Sequence, residues 1–258
     1  MDRLAVKGLL LSTLLGITTT TTAAELRVAV AANFKHTLEL IAADYQQQTG
    51  VKVRLSAGST GALYTQIRHG APYDLYFAAD IERPKLLEQQ QLIRNGSRIT
   101  YAVGVLAFWT PGQLASNELL AQWQPRLSIA NPRTAPYGVA AEQSLQQVRP
   151  NDFPPLVRGS NILQAFQYVQ SGNATGGLVA MSHLKAEQVA TDEFWPIPPN
   201  WHDPIEQQGV VLSRTTQVKE ACSFLRYVAQ ANAQLEHSGY LTHSIDGVAL
   251  EQQCLSAE

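Results

Sequence analysis

Three stretches of this sequence put small hydroxyl or amide residues where a helix begins. They are Ala31-Ala32-Asn33 ahead of a helix starting near Phe34, Gly58-Ser59-Thr60-Gly61 within "AGSTGALYTQIRHG", and Gly159-Ser160-Asn161 ahead of "ILQAFQYV". A helix start exposes main-chain N–H groups that have no intrahelical partner, together with the positive end of the macrodipole. Hydroxyl and amide side chains add neutral donors, and glycine lets the backbone come close to a ligand. Three such starts meeting in one cleft would form a cage of neutral donors for a small anion. Taken singly, each is an ordinary N-cap, because Asn, Ser and Thr are the preferred capping residues. The Gly58–Gly61 turn also lacks the lysine of a phosphate-binding P-loop.

Other chemistry is sparse. His36, His69, His183, His202, His237 and His243 are scattered without HxxxH or HExxH spacing and read as surface or internally satisfied residues. Asp74 and Asp80 flank a strand and read as loop-fixing or capping carboxylates rather than an acid/base pair. Lys35, beside Asn33, reads as an exposed lysine, and Trp195 and Trp201 as packing residues of a Pro-rich loop. No GxSxG motif is present, and the serines have no recognisable triad setting. A formal charge of −2 with no long basic run argues against nucleic acid or an anionic membrane as partner.

The elements that must position the three turns follow from periodicity. "LRVAVAAN" is a Val-rich strand, and Phe34, Leu38, Ile41, Ala42 and Tyr45 form one face of a helix stopped by Gly50. "VKVRLSA" alternates with period two as a second strand, the GSTG segment opens the next helix, and "YDLYFAA" is a third strand. Strand, helix, strand, helix, strand predicts an α/β domain with a mostly parallel sheet, whose ligands sit at strand carboxyl ends where helices begin. A second α/β pattern runs through "RLSIANP", "YGVAAEQSLQQV", "NILQAFQYVQSG" and "TGGLVAMSHL". Extended runs near 100–108 and 205–213 flank it. The expectation is two α/β lobes joined by two crossing strands, with a cleft between them that closes by a hinge. A single larger sheet is the competing arrangement. In residues, lobe I takes 25–103 and 209–258, and lobe II is inserted as 104–208.

The first 24 residues read as a secretory signal peptide. Arg3 and Lys7 supply the positive region, Gly8 to Ile17 the apolar run, and cleavage is expected near Ala24. The run is too short to span a bilayer. Export would place the chain in an oxidising compartment, where Cys222 and Cys254, the only cysteines, suggest a disulfide; two buried thiols are the alternative.

Beyond this reading, "VAVAANF", "SAGSTGALYTQIRHGAPYDLYFAAD", "APYG" and "GLVAMS" resemble the periplasmic molybdate-binding proteins of ABC transporters, over essentially the whole exported chain. The GSTG…QIxxGAPxDLxFxAD stretch is the most specific part. The resemblance implies the type II periplasmic binding-protein fold and a tetrahedral oxyanion, molybdate or tungstate, held by neutral hydrogen bonds. It implies that Asn33 donates from the first helix start and Thr60 through its hydroxyl and N–H, with Ser59 its neighbour. Tyr137 of APYG and the main-chain N–H of Ile162 would complete the cage from the second lobe. One position departs: some members carry a ligand tyrosine where this chain has Ala180, so the Tyr137 phenol becomes the natural substitute.

The resulting expectation is a non-catalytic receptor, without cofactor or direct metal ligands. It captures molybdate or tungstate in the periplasm and delivers it, as a monomer, to a permease in the inner membrane. The alternatives are a receptor for another oxyanion such as sulfate, or an exported hydrolase on a similar fold.

Overall fold

The computed structural model describes residues 24–150, 152–242 and 245–256, so the expected signal peptide, apart from Ala24, lies outside the described residues. The chain opens with β1 (Glu25–Ala31), α1 (Lys35–Thr49), β2 (Lys52–Gly58), α2 (Thr60–Arg68), β3 (Leu75–Phe77) and α3 (Glu82–Gln89). Helix α1 buries Leu38, Ile41, Ala42 and Tyr45 as its periodicity requires, and Gly50 ends it in the left-handed region at φ 75°. Strand β1 pairs in parallel with β2 on one side and β3 on the other.

The run expected as one extended segment near 100–108 is two strands in different sheets. They are β4 (Ile99–Gly104) and β5 (Leu106–Trp109), with Val105 between them. Then come α4 (Asn117–Ala121), β6 (Leu127–Ala130), α5 (Pro136–Val148), β7 (Leu156–Gly159), α6 (Ile162–Gln170), β8 (Gly176–Ala180), α7 (Met181–Ala186) and β9 (Phe194–Pro196). The chain returns through β10 (Ile205–Val211) and ends in α8 (Val218–Ala229), α9 (Asn232–His237) and α10 (Gly247–Ser256).

Two five-stranded mixed sheets result, ordered β2-β1-β3-β10-β4 and β7-β6-β8-β5-β9. Each has three parallel strands, and in each the remaining strands bring antiparallel pairing, β10 against β3 and β4 in the first and β5 against β8 and β9 in the second. Two lobes therefore replace the single-sheet alternative. The expected return to lobe I at 208/209 falls inside a continuous strand. Residues 205–207 already pair with Gly104–Ala102 of β4, so the ladder holds them in the first sheet.

Each sheet is covered on both faces. In the first lobe Phe34, Leu38, Ile41, Phe77, Phe224 and Val228 fill one side, and Leu63, Ile67, Tyr76 and Val210 the other. Cys222 of α8 and Cys254 of α10 form a disulfide with Cα atoms 5.8 Å apart, which settles the choice between a bridge and two thiols.

Candidate functional site

Four helix starts converge between the lobes. Asn33 lies in the turn between β1 and α1, Ser59 and Thr60 open α2, Tyr137 sits in the first turn of α5, and Ile162 is the first residue of α6. All five line one small cavity between the lobes. All five are buried, from 1% exposed at Asn33, Thr60 and Tyr137 to 7% at Ser59. None of the residues lining the cavity carries a formal charge.

The hydrogen bonding of these groups has a direction. Ser59 is the N-cap of α2, and its Oγ accepts the Ala62 N–H at 3.4 Å. Thr60 Oγ1 accepts the Ala79 N–H at 3.1 Å, while the Thr60 carbonyl accepts the Tyr76 hydroxyl at 2.8 Å. The Tyr137 oxygen accepts from Gln207 Nε2 at 3.3 Å. Each of the three hydroxyls thus already takes an N–H on its oxygen and keeps its own proton to give away. Burial raises the Tyr137 phenol well above its ordinary 10, with the Tyr240 phenol adding to the rise, so it is a protonated donor at neutral pH. The main-chain N–H groups of Asn33, Thr60 and Ile162 have no acceptor among the described residues.

The Asn33 side chain is already engaged within the protein. Its Nδ2 is spent on Gln207 Oε1 at 2.9 Å and Tyr240 Oη at 3.2 Å, and its Oδ1 is buried without a partner among the described residues. The group Asn33 offers the cavity as a donor is therefore its main-chain N–H. Asn161, the third candidate cap, spends its side chain on the Gln164 N–H of α6. Ala180 is buried in the same apolar cluster as Tyr137 and does not line the cavity.

The lobes are closed over this space by hydrogen bonds that cross between them. Gly61 N–H donates to the Thr134 carbonyl at 2.9 Å, and Ser182 Oγ donates to the Asn33 carbonyl at 2.8 Å. His183 Nε2 donates to the Ala32 carbonyl at 3.2 Å, which leaves its buried Nδ1 as a lone pair with no partner among the described residues. Neither Ser182 nor His183 carries a local sequence signal for this role. Both become visible only when α7 is docked against the β1–α1 turn.

Burial pushes His183 down to about 4, with His36 nearby adding to the drop and the Ala32 bond opposing it. The unfolded histidine titrates near its ordinary 6.5, so as pH falls below that the unfolded chain takes up a proton the folded one refuses. Stability is fully present above about pH 6.5 and falls toward pH 4, the loss from this group reaching about 2 kcal/mol by pH 5. His183→Gln, whose amide can still donate to Ala32, is expected to flatten that part of the slope. Urea unfolding of both proteins at neutral pH and near pH 5 measures it, and an unchanged slope would acquit His183.

Comparison with known proteins follows the same lines. A family model described as bacterial extracellular solute-binding protein matches residues 26–241. The molybdate-binding protein ModA of Azotobacter vinelandii is 39% identical over 213 residues, 80% of this chain and 84% of the relative. The protein of the same name from Rhodobacter capsulatus is 32% identical over 239 residues, 90% of this chain and 94% of the relative. A solved structure of the Azotobacter vinelandii periplasmic molybdate-binding protein superposes with a TM-score of 0.77 at 33% identity, covering 85% of this chain and 100% of that one.

Proposed function

We propose, from the premise that this chain belongs to the bacterial extracellular solute-binding protein family, that it captures molybdate, and tungstate as an ion of the same kind, in the periplasm. It delivers the ion to an ABC permease in the inner membrane and is a transport component, not an enzyme. It acts as a monomer, without cofactor and without nucleic acid.

The observation that carries this reading is a cage of donors with no formal charge, formed where helix starts from both lobes meet. A dianion with four bare oxygens accepts from every side. Neutral donors aimed at it in advance hold it without a countercharge, and hydrogen bonds to a charged acceptor are stronger than those to a neutral one. A protonated oxyanion would turn an O–H toward a wall made mostly of donors and lose one of the bonds that a bare oxygen accepts, so phosphate, partly protonated at neutral pH, is disfavoured. Asn33, Ser59, Thr60, Tyr137 and Ile162 are the residues assigned to the ion.

A ligand that binds only the folded chain raises its melting temperature, by about 4 kcal/mol of stability at a thousandfold excess over Kd. Molybdate and tungstate are expected to shift the melting transition of the purified protein, and phosphate at equal concentration is not. A shift with none of these ions would remove the reading.

A further inference from the structure

We propose that Gln207 is the positioning residue that sets the direction of hydrogen bonding in the cage, turning Tyr137 into an obligatory donor toward the bound anion. The inference rests on the oxyanion reading above and names a residue of that same site which touches no ligand itself.

Gln207 is fully buried on β10, the strand by which the chain returns from the second lobe to the first. The register between β10 and β4 slips between Gln207 and Gln208, a bulge of the kind that re-aims side chains. Its Oε1 accepts from Asn33 Nδ2 and from the Tyr101 hydroxyl, each at 2.9 Å. Turning the amide round would forfeit both of these bonds and set its NH2 against that of Asn33, so the Oε1 end faces Asn33 and Tyr101 and Nε2 faces Tyr137. The sequence of donations continues outward. Tyr240 gives its proton to the Asn33 carbonyl and accepts from Asn33 Nδ2, Asn33 donates to Gln207, and Gln207 donates to the Tyr137 oxygen. A phenol has one proton, and with its oxygen already accepting, that proton is free for the cavity. Gln207 thus links a residue of each lobe, Asn33 and Tyr137, and gives the closed cleft its bias against any ligand that must donate.

Gln207→Glu tests this through a pH profile. An ionised glutamate has only acceptor oxygens, accepts the Tyr137 O–H hydrogen bond in place of the ion and faces the dianion with a like charge. A protonated glutamate has one O–H and one C=O and restores the pattern of the amide. Burial lifts such a carboxyl above its ordinary 4.3 into an accessible range. The titratable groups facing position 207 are phenols: Tyr101 from β4, Tyr137 from α5 and, beyond Asn33, Tyr240, all kept protonated by burial. Glu206 lies on the opposite face of β10.

The readout is the ratio of variant to wild-type molybdate Kd, which cancels ionisation of the ion itself and of His183. It is expected to be about 100-fold near pH 8 and to narrow to about tenfold or less near pH 5.5. A ratio that does not change with pH overturns the proposal. Should the glutamate variant fail to fold, Gln207→Met decides the matter in a cycle with Tyr137→Phe. The two losses are expected to overlap, with the double variant no weaker than the worse single one, and full additivity overturns the proposal. A wild-type protein that binds no oxyanion would instead refute the functional reading, and this inference with it.

Discussion

Gly104→Ala is expected to weaken molybdate binding by roughly two orders of magnitude or more in a protein that still folds. Gly104 ends β4, beside the crossing into the second lobe, and a methyl group there would lie 2.2 Å from the Tyr137 hydroxyl oxygen and 2.6 Å from Gln207 Nε2. Both groups would have to move. Displacing the phenol removes a donor to a charged acceptor, about 1.5–3 kcal/mol, and forcing a methyl into a filled closed cleft costs a further 1–3 kcal/mol or so. At about 1.4 kcal/mol per factor of ten, the sum corresponds to the stated loss. Opening the cleft carries Tyr137 away from the methyl group and leaves only the Gln207 amide to shift, so the penalty should fall mainly on binding, and melting of the ligand-free variant serves as the control. Wild-type affinity in this variant, measured by calorimetry, would mean that the Tyr137 phenol gives nothing to the ion.

The second large effect is on stability. The Cys222–Cys254 bridge closes a loop across a sequence separation of 32 and ties α10 to α8. Constraint of the unfolded chain by a loop of that length is worth about 4 kcal/mol on the chain-entropy account. The paired substitution Cys222→Ala, Cys254→Ala is therefore expected to lower the urea midpoint clearly and to make it indifferent to reductant, whereas the wild-type midpoint falls when reductant is added. Molybdate affinity should hold, because neither cysteine lines the cleft. A variant as stable as the parent would show that the bridge contributes nothing beyond the packing of α10 on α8.

Much of this arrangement could be read in the sequence for local reasons. Strand β2 and helix α1 announce themselves through period-two and 3.6-residue apolar patterns. Ser59 and Asn161 cap their helices with their own side chains, as their residue types foretold. The five candidate residues line one cavity because each sits at a helix start, and helix starts gather at the carboxyl ends of strands in both lobes.

What escaped the sequence depends on contacts between distant residues. Strand β7 is a four-residue piece with an exposed arginine, next to two prolines, and offers no alternation to read. Strand β9 hides in the Pro-rich loop and exists because β5 supplies its partner. Gln207 lies in a strand beside a second glutamine, Gln208, and nothing in its type marks it as the meeting point of Asn33, Tyr101 and Tyr137. The side chain of Asn33 was legible as polar and well placed. Its hydrogen-bond direction was not, because that is set 174 residues away in the chain.

The central claim is that helix starts from two lobes form an uncharged cage for a fully ionised oxyanion of the molybdate class. Calorimetric titration of the purified protein with molybdate, tungstate, sulfate and phosphate under one set of conditions tests it most directly. The account predicts tight one-to-one binding of molybdate and tungstate, and weak or no binding of phosphate. Tight binding of sulfate with none of molybdate would contradict it.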